Sequence, residues 1–231
     1  MQPTLAETLT GAHEVYQRGF RSFAIKVGTD LKTDVENVRA LRERFGDGVS
    51  LRIDANAGMC FDDALALLRK LEPYVIDAEE QLLPIWDLDG MAELARRVDI
   101  PLMTDECVAI DHDLIAVIRK RAASAVQTKT AKNGGIWYTR KLWHIAEAAG
   151  MHIYPGNHPC TSIATLSAAH LAADWPGPLC EGPFTVGLEA LAEDVVTAPV
   201  RLEGNQVRVP DAPGLGFTLD EDKIQQFRVK M

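Results

Sequence analysis

Three short β-rich runs each end on a carboxylate at almost equal intervals, and this spacing constrains the fold more than any other feature of the chain. Leu51-Arg52-Ile53-Asp54 is followed by Val75-Ile76-Asp77-Ala78-Glu79-Glu80 and then by Pro101-Leu102-Met103-Thr104-Asp105. Asp54, Glu80 and Asp105 are thus 26 and then 25 positions apart. One βα unit of an α/β barrel takes about 30 residues. Successive strands of such a fold would each deliver one acid to the same C-terminal rim. Three hard oxygen donors there suit Mg²⁺, with Mn²⁺ as the alternative. Three unrelated surface acids are the plainer reading, and the equal spacing at strand ends argues against it.

The flanking residues fit the same plan. Thr4 and Glu7 form a capping-box pattern for a helix running to Arg18, closed by Gly19. Apolar periodicity predicts strands over 20–27, 49–53, 74–78, 102–103, 123–128 and 151–154. It predicts helices over 31–45, 61–71, 88–98, 111–120, 134–149 and 161–173. Alternating strands and helices with short loops imply a parallel sheet. The number of units favours a closed (β/α) barrel over an open doubly wound sheet. No GxGxxG or GxxxxGK[ST] follows a strand, which lowers the case for nucleotide binding. Beyond Pro183 the texture changes: residues 200–207 read as strand, Gly-Asn turn, strand, and 210–216 as a turn-rich loop. The expected organisation is a barrel domain over 1–182. A β-rich extension over 183–231 would pack on the barrel or on a capping domain.

Composition narrows the partners. With 231 residues and a net charge of −9, the chain lacks the basic face that nucleic acid or an anionic membrane would require. Cys60, Cys107, Cys160 and Cys180 form no CxxC pair, so reduced thiols in the cytoplasm are expected. The N-terminus carries no basic-then-apolar signal pattern.

Two lysines end strands on the same predicted rim. Lys26 closes the strand before Asp54, and Lys129 closes the strand after Asp105. Either alone would read as a solvated surface charge; together they flank the acids as an acid/base pair. His158, in Pro155-Gly156-Asn157-His158, follows a further strand end. It reads equally as a general acid, a substrate contact or a backbone-bonded loop residue. Cys160 reads as packing, and Lys132 and Asn133 as loop residues before Gly134-Gly135. A metal on three carboxylates with a lysine on each side favours removal of a proton α to a carboxylate through an enediolate. Racemisation, β-elimination and cycloisomerisation are all open to such a site.

Ile25-Lys26-Val27-Gly28, Asp54-Ala55-Asn56, Glu80-Gln81, Asp105-Glu106 and Lys129 with Lys132-Asn133-Gly134-Gly135 together resemble the enolase superfamily. The resemblance is to the C-terminal barrel of its mandelate racemase and muconate-lactonizing enzyme group, from about Gly19 onward. It implies Mg²⁺ on Asp54, Glu80 and Asp105, with Lys26 and Lys129 as the acid/base pair, as in the muconate-lactonizing subgroup. Asn56 and Glu106, the other polar residues of those motifs, are expected to contact substrate. A muconate-type cycloisomerase acting on a small carboxylic acid is the specific expectation. An amino-acid racemase or epimerase, or an acid-sugar or hydroxyproline dehydratase, is the alternative. A catalytically silent barrel subunit is the alternative of another class.

The sequence departs from the family pattern in places. Ala24 stands where the first lysine of Lys-x-Lys is usual, and Leu82 where Glu-Gln-Pro is common. Cys160 falls where muconate-lactonizing-type enzymes often carry glutamate, while His158 is near the histidine of the racemase type. Family members also carry an N-terminal α+β capping domain and a first barrel strand, neither of which is recognisable here. The resemblance therefore implies a homo-oligomer or a partner chain supplying the cap.

Overall fold

A computed structural model describes residues 4–180 and 191–229. Helix α1 (Leu5–Gln17) leads into five βα units. These are β1 (Ser22–Lys26) with α2 (Leu31–Phe45), β2 (Ser50–Asp54) with α3 (Phe61–Leu71), and β3 (Ala78–Glu80) with α4 (Leu88–Leu94). Next come β4 (Leu102–Thr104) with α5 (Asp111–Lys120) and β5 (Ala125–Thr128) with α6 (Ile136–Ala148). Then follow β6 (His152–Pro155) and α7 (Ser162–Asp174), a hairpin of β7 (Leu202–Glu203) and β8 (Gln206–Val207), and α8 (Glu221–Phe227). Thr4 and Glu7 make the reciprocal capping box at α1 that the sequence predicts. No helix among the described residues is long and apolar enough to cross a membrane.

The six long-range strands form one parallel sheet in the order β1 to β6. The sheet curls strongly. Arg52 of β2 lies over the Tyr154 ring of β6 at 5.1 Å, although four strand spacings would separate them by about 19 Å in a flat sheet. Among the described residues β1 and β6 do not pair, so the sheet is a curled half-barrel, in keeping with the expected barrel without its first strand. Backbone N–H of Cys180 donates to Ile153 O (2.8 Å), so the chain returns beside β6 after α7.

Side-chain alternation sorts the two faces of the sheet. Phe23, Ile25, Leu51 and Ile53 point outward into the layer shared with the helices, where Val38, Leu41, Leu67, Leu68 and Leu71 are fully buried. On the concave side Ala78, Met103 and Ala125 make a small cluster beneath Tyr154. The residues one layer above that cluster reach the C-terminal mouth.

Two predicted elements shift. The strand expected over 74–78 begins only at Ala78, and Glu72–Tyr74 is a 3₁₀ turn. The helix expected over 88–98 ends at Leu94. Arg42 explains the first shift. Its guanidinium donates to the carbonyls of Tyr74 (2.9 Å), Val75 (2.7 Å), Gly46 (2.7 Å) and Val49 (2.9 Å), so two carbonyls of the apolar run are withdrawn from any ladder. Val75 turns at φ +51°. The C-terminal segment also touches the sheet units: Asn205 donates to Gly19 O (3.0 Å), and Asp194 accepts from Ser162 at the start of α7 (2.8 and 2.6 Å).

Arg42→Ala strands four carbonyls at the N-terminal end of the strands. Charged hydrogen bonds are worth about 1.5–3 kcal/mol each when partly buried, and water recovers part of that here. A loss of about 2 kcal/mol is expected from urea denaturation, and an unchanged midpoint would refute the bracket.

Candidate active site

Parallel pairing aligns the acids. The β2–β3 register sets Asp54 opposite Glu80, and the β1–β2 register sets Lys26 opposite Asp54. Asp105 lies one residue past β4 and is tied to β3 by Gln81. The Gln81 Oε1 accepts from the backbone N–H of Asp105 (3.1 Å) and of Cys107 (3.3 Å), while Nε2 donates to Leu83 O (3.0 Å). Gln81 is fully buried and has φ +38°, so this staple holds a strained backbone in place. Asp54, Glu80 and Asp105 are all buried.

Lysines meet these acids from both flanks. Lys26 ion-pairs with Asp54 and donates to Asn56 Oδ1 (2.6 Å). Asn56 returns a backbone N–H to Asp54 Oδ1 (2.7 Å) and an amide N–H to Glu106 Oε1 (3.0 Å), linking the β2 and β4 loops. On the other flank Lys129 ion-pairs with Asp105 and stands 3.9 Å from Glu80. Lys132, which the sequence reading leaves in a loop, reaches Asp105 Oδ1 at 2.6 Å and Gln127 O at 3.2 Å. The loop is bent to allow this. Asn133 accepts from the Lys129 N–H (2.9 Å) and donates to Val108 O and Ala109 O (3.0 Å each), and Gly134 and Gly135 turn at φ +77° and +90°. The glycine pair was the one local signal for that bend.

Burial makes these charges interact strongly. Glu80 is pushed up to about 8, first by desolvation and then by Asp54 and Asp105, against weaker help from Lys129 and Arg52. Burial also opposes the charge of Asp105, but Lys132 and Lys129 outweigh it and hold that carboxyl below its usual range. Burial lowers Lys132 more than Asp105 raises it. Glu79, on the opposite side of β3, is pushed up to about 8 by burial.

His158 sits exposed in the loop after β6. Burial and Lys129 lower its pKa, and Asp105, Lys132 and Glu106 also act on it, so it shares the rim. Cys160 donates to Asn157 Oδ1 (2.9 Å) and serves as a loop tie, in line with a packing role. Ala24, two residues before Lys26 on the same face of β1, is exposed and leaves the space beneath that lysine open.

As the side chains stand, Asp54 and Asp105 turn onto lysines. Among the described residues no three His, Cys, Asp or Glu side chains are grouped to hold a metal ion. The donor chemistry nevertheless fits a hard divalent cation. Three oxygen donors come from neighbouring strand ends, and Glu80 is left with more negative charge around it than the lysines balance. Asp54, Glu80 and Asp105 are the residues that would hold such an ion.

Comparison with known proteins bears on the family and the fold. Residues 7–223 match the family described as enolase C-terminal domain-like. The chain is 34% identical over 227 residues to N-succinyl-L-Arg/Lys racemase of Bacillus cereus, covering 94% of this chain and 58% of that protein. It is 32% identical to muconate cycloisomerase 1 of Pseudomonas putida, covering 97% and 60%. A crystal structure of muconate cycloisomerase from Pseudomonas fluorescens superposes with a TM-score of 0.90 at 31% identity, covering 99% of this chain and 63% of that one. The chain thus spans about three fifths of these relatives. It belongs to the enolase C-terminal domain-like family.

Proposed function

We propose that this chain carries the chemical machinery of an enzyme that removes a proton α to a carboxylate. The observation that carries the reading is the placement of Lys26 and Lys129 on opposite flanks of three buried carboxylates at one mouth of the sheet. Asp54, Glu80 and Asp105 would hold Mg²⁺ or Mn²⁺. A divalent cation there would act as a Lewis acid toward charge developing on a substrate carboxylate.

The side chains supply the remaining steps. One lysine, as its free amine, takes the α-proton; the other protonates the opposite face or the departing group. Asn56 and Glu106, bonded to each other between two loops, would orient the substrate. His158 stands at the same rim as a substrate contact or a second acid. Within this chemistry a muconate-type cycloisomerase acting on a small carboxylic acid is the specific reading. Racemisation or epimerisation of an acylated amino acid is the second, favoured by 34% identity to the N-succinyl-L-Arg/Lys racemase. Cytoplasmic location, and a homo-oligomer or a partner chain completing the site, belong to the same reading.

Deuterium exchange at the α-carbon in D₂O, over a panel including muconolactone and N-acyl amino acids, tests the two-base arrangement. Exchange should require Mg²⁺, and Lys26→Ala or Lys129→Ala should each slow it by about 10²–10⁴-fold. Normal exchange in both variants would overturn the assignment; the substrate that exchanges decides between the two readings.

A second test concerns charge. Glu79 and Glu80 have folded pKa values of about 8, raised above their unfolded values. The folded state therefore binds more protons than the unfolded chain at neutral pH. In EDTA, the stability contributed by these two groups should be fully present below about pH 4.5 and should be lost progressively as pH rises toward about 8. Mg²⁺ should flatten part of that slope in the wild type and not in Glu80→Gln. A urea midpoint insensitive to Mg²⁺ at about pH 8 would count against the ion site.

A further inference from the structure

Beneath the rim, the Glu80 carboxylate is gripped from two sides by residues that the mechanism above does not use. Gln127 of β5 donates its Nε2–H to Glu80 Oε1 (3.1 Å), and both side chains are buried. Arg52 of β2 places NH1 4.0 Å from the other oxygen, Oε2, with its guanidinium over the Tyr154 ring. The two contacts take the two oxygens of one carboxylate from opposite sides.

This arrangement is costly. The Oε1 of Gln127 is buried with no hydrogen-bond partner among the described residues, and so are Nε and NH1 of Arg52. A buried polar atom without a partner loses its hydration and gains nothing in return. A methionine at 127 would fill similar space without that penalty. Among the described residues, the one side-chain hydrogen bond that the Gln127 amide makes is with Glu80.

The backbone is shaped to admit that amide. A Cβ placed on Gly156, just past β6, would lie 2.7 Å from both Cδ and Nε2 of Gln127. Gly156 has an ordinary negative-φ backbone and makes no turn that demands glycine. What glycine provides at 156 is room for the Gln127 amide.

We infer that Gln127, seated against Gly156 and opposed by Arg52, is a positioning residue that fixes the orientation of the Glu80 carboxylate for a divalent cation. This rests on the ion site proposed above. Groups that orient a metal-binding carboxylate typically contribute 10–100-fold to affinity.

Mn²⁺ titration of the whole protein, followed by electron paramagnetic resonance, measures binding without turnover. Gln127→Met should weaken Mn²⁺ binding by about 10–100-fold while the far-ultraviolet circular dichroism stays unchanged. Gly156→Ala should weaken it comparably, although residue 156 touches no proposed ion ligand. In a Gln127→Ala background, where the crowded amide is gone, adding Gly156→Ala should cost nothing further. Wild-type affinity in both Gln127→Met and Gly156→Ala would overturn the inference and leave the ion site standing. Additive losses in the double variant would refute the route through Gln127. If the wild type takes up no Mn²⁺, the ion site and the clamp both fall.

Discussion

Three carboxylates brought to the ends of neighbouring strands and then buried cannot remain ionised without positive charge close by. That requirement governs the C-terminal mouth of the sheet. The lysines satisfy it unevenly. Asp105 receives both Lys129 and Lys132 and stays acidic, whereas Glu80 has no ammonium closer than Lys129 at 3.9 Å and is pushed up to about 8. The centre of the acid row is therefore where a further cation gains most. The Gln81 staple, the Asn133 bracket and the Asn56–Glu106 bridge keep mutually repelling groups from moving apart.

The two ends of the strands do different work. At the N-terminal end, Arg42 meets neutral carbonyls, and loops close by ordinary hydrogen bonding. Non-glycine backbone with positive φ occurs at both ends: Asn56, Ala57 and Gln81 at the C-terminal end, and Val75 and Arg121 at the N-terminal end. Non-glycine residues adopt that region at a cost, and they persist there only when the surroundings fix them. Barrel-type α/β folds place chemistry at the C-terminal end and stability at the other, and the strained Gln81, tied to Asp105 and Cys107, lies beside the acid row.

The sequence made most of the fold legible because strand and helix periods differ and each unit repeats both. It failed where an apolar run lost its carbonyls to Arg42, a residue 32 positions from Tyr74, which no local pattern reports. The rim acids and lysines were legible because each ends a strand. Lys132 was not, since its contact with Asp105 depends on a loop bent by Gly134, Gly135 and Asn133. Arg52 and Gln127 could have been found. Each lies two residues before a rim residue, Asp54 or Lys129, and a period of two puts it on the same inward face one layer down. A charged or amide side chain inside an otherwise apolar strand was the signal.

The two lysines offered as a pair are not equivalent in their surroundings. Lys129 has 8% of its side chain exposed, and its backbone N–H is bonded to Asn133. Lys26 has 60% exposed on β1, which pairs on one side alone among the described residues, and Ala24 leaves it without a neighbour beneath. Fixing a long exposed side chain costs conformational entropy that a buried one has already lost on folding. The Lys129 ammonium is therefore held by the fold itself, whereas among the described residues the Lys26 ammonium is held by Asp54 and Asn56.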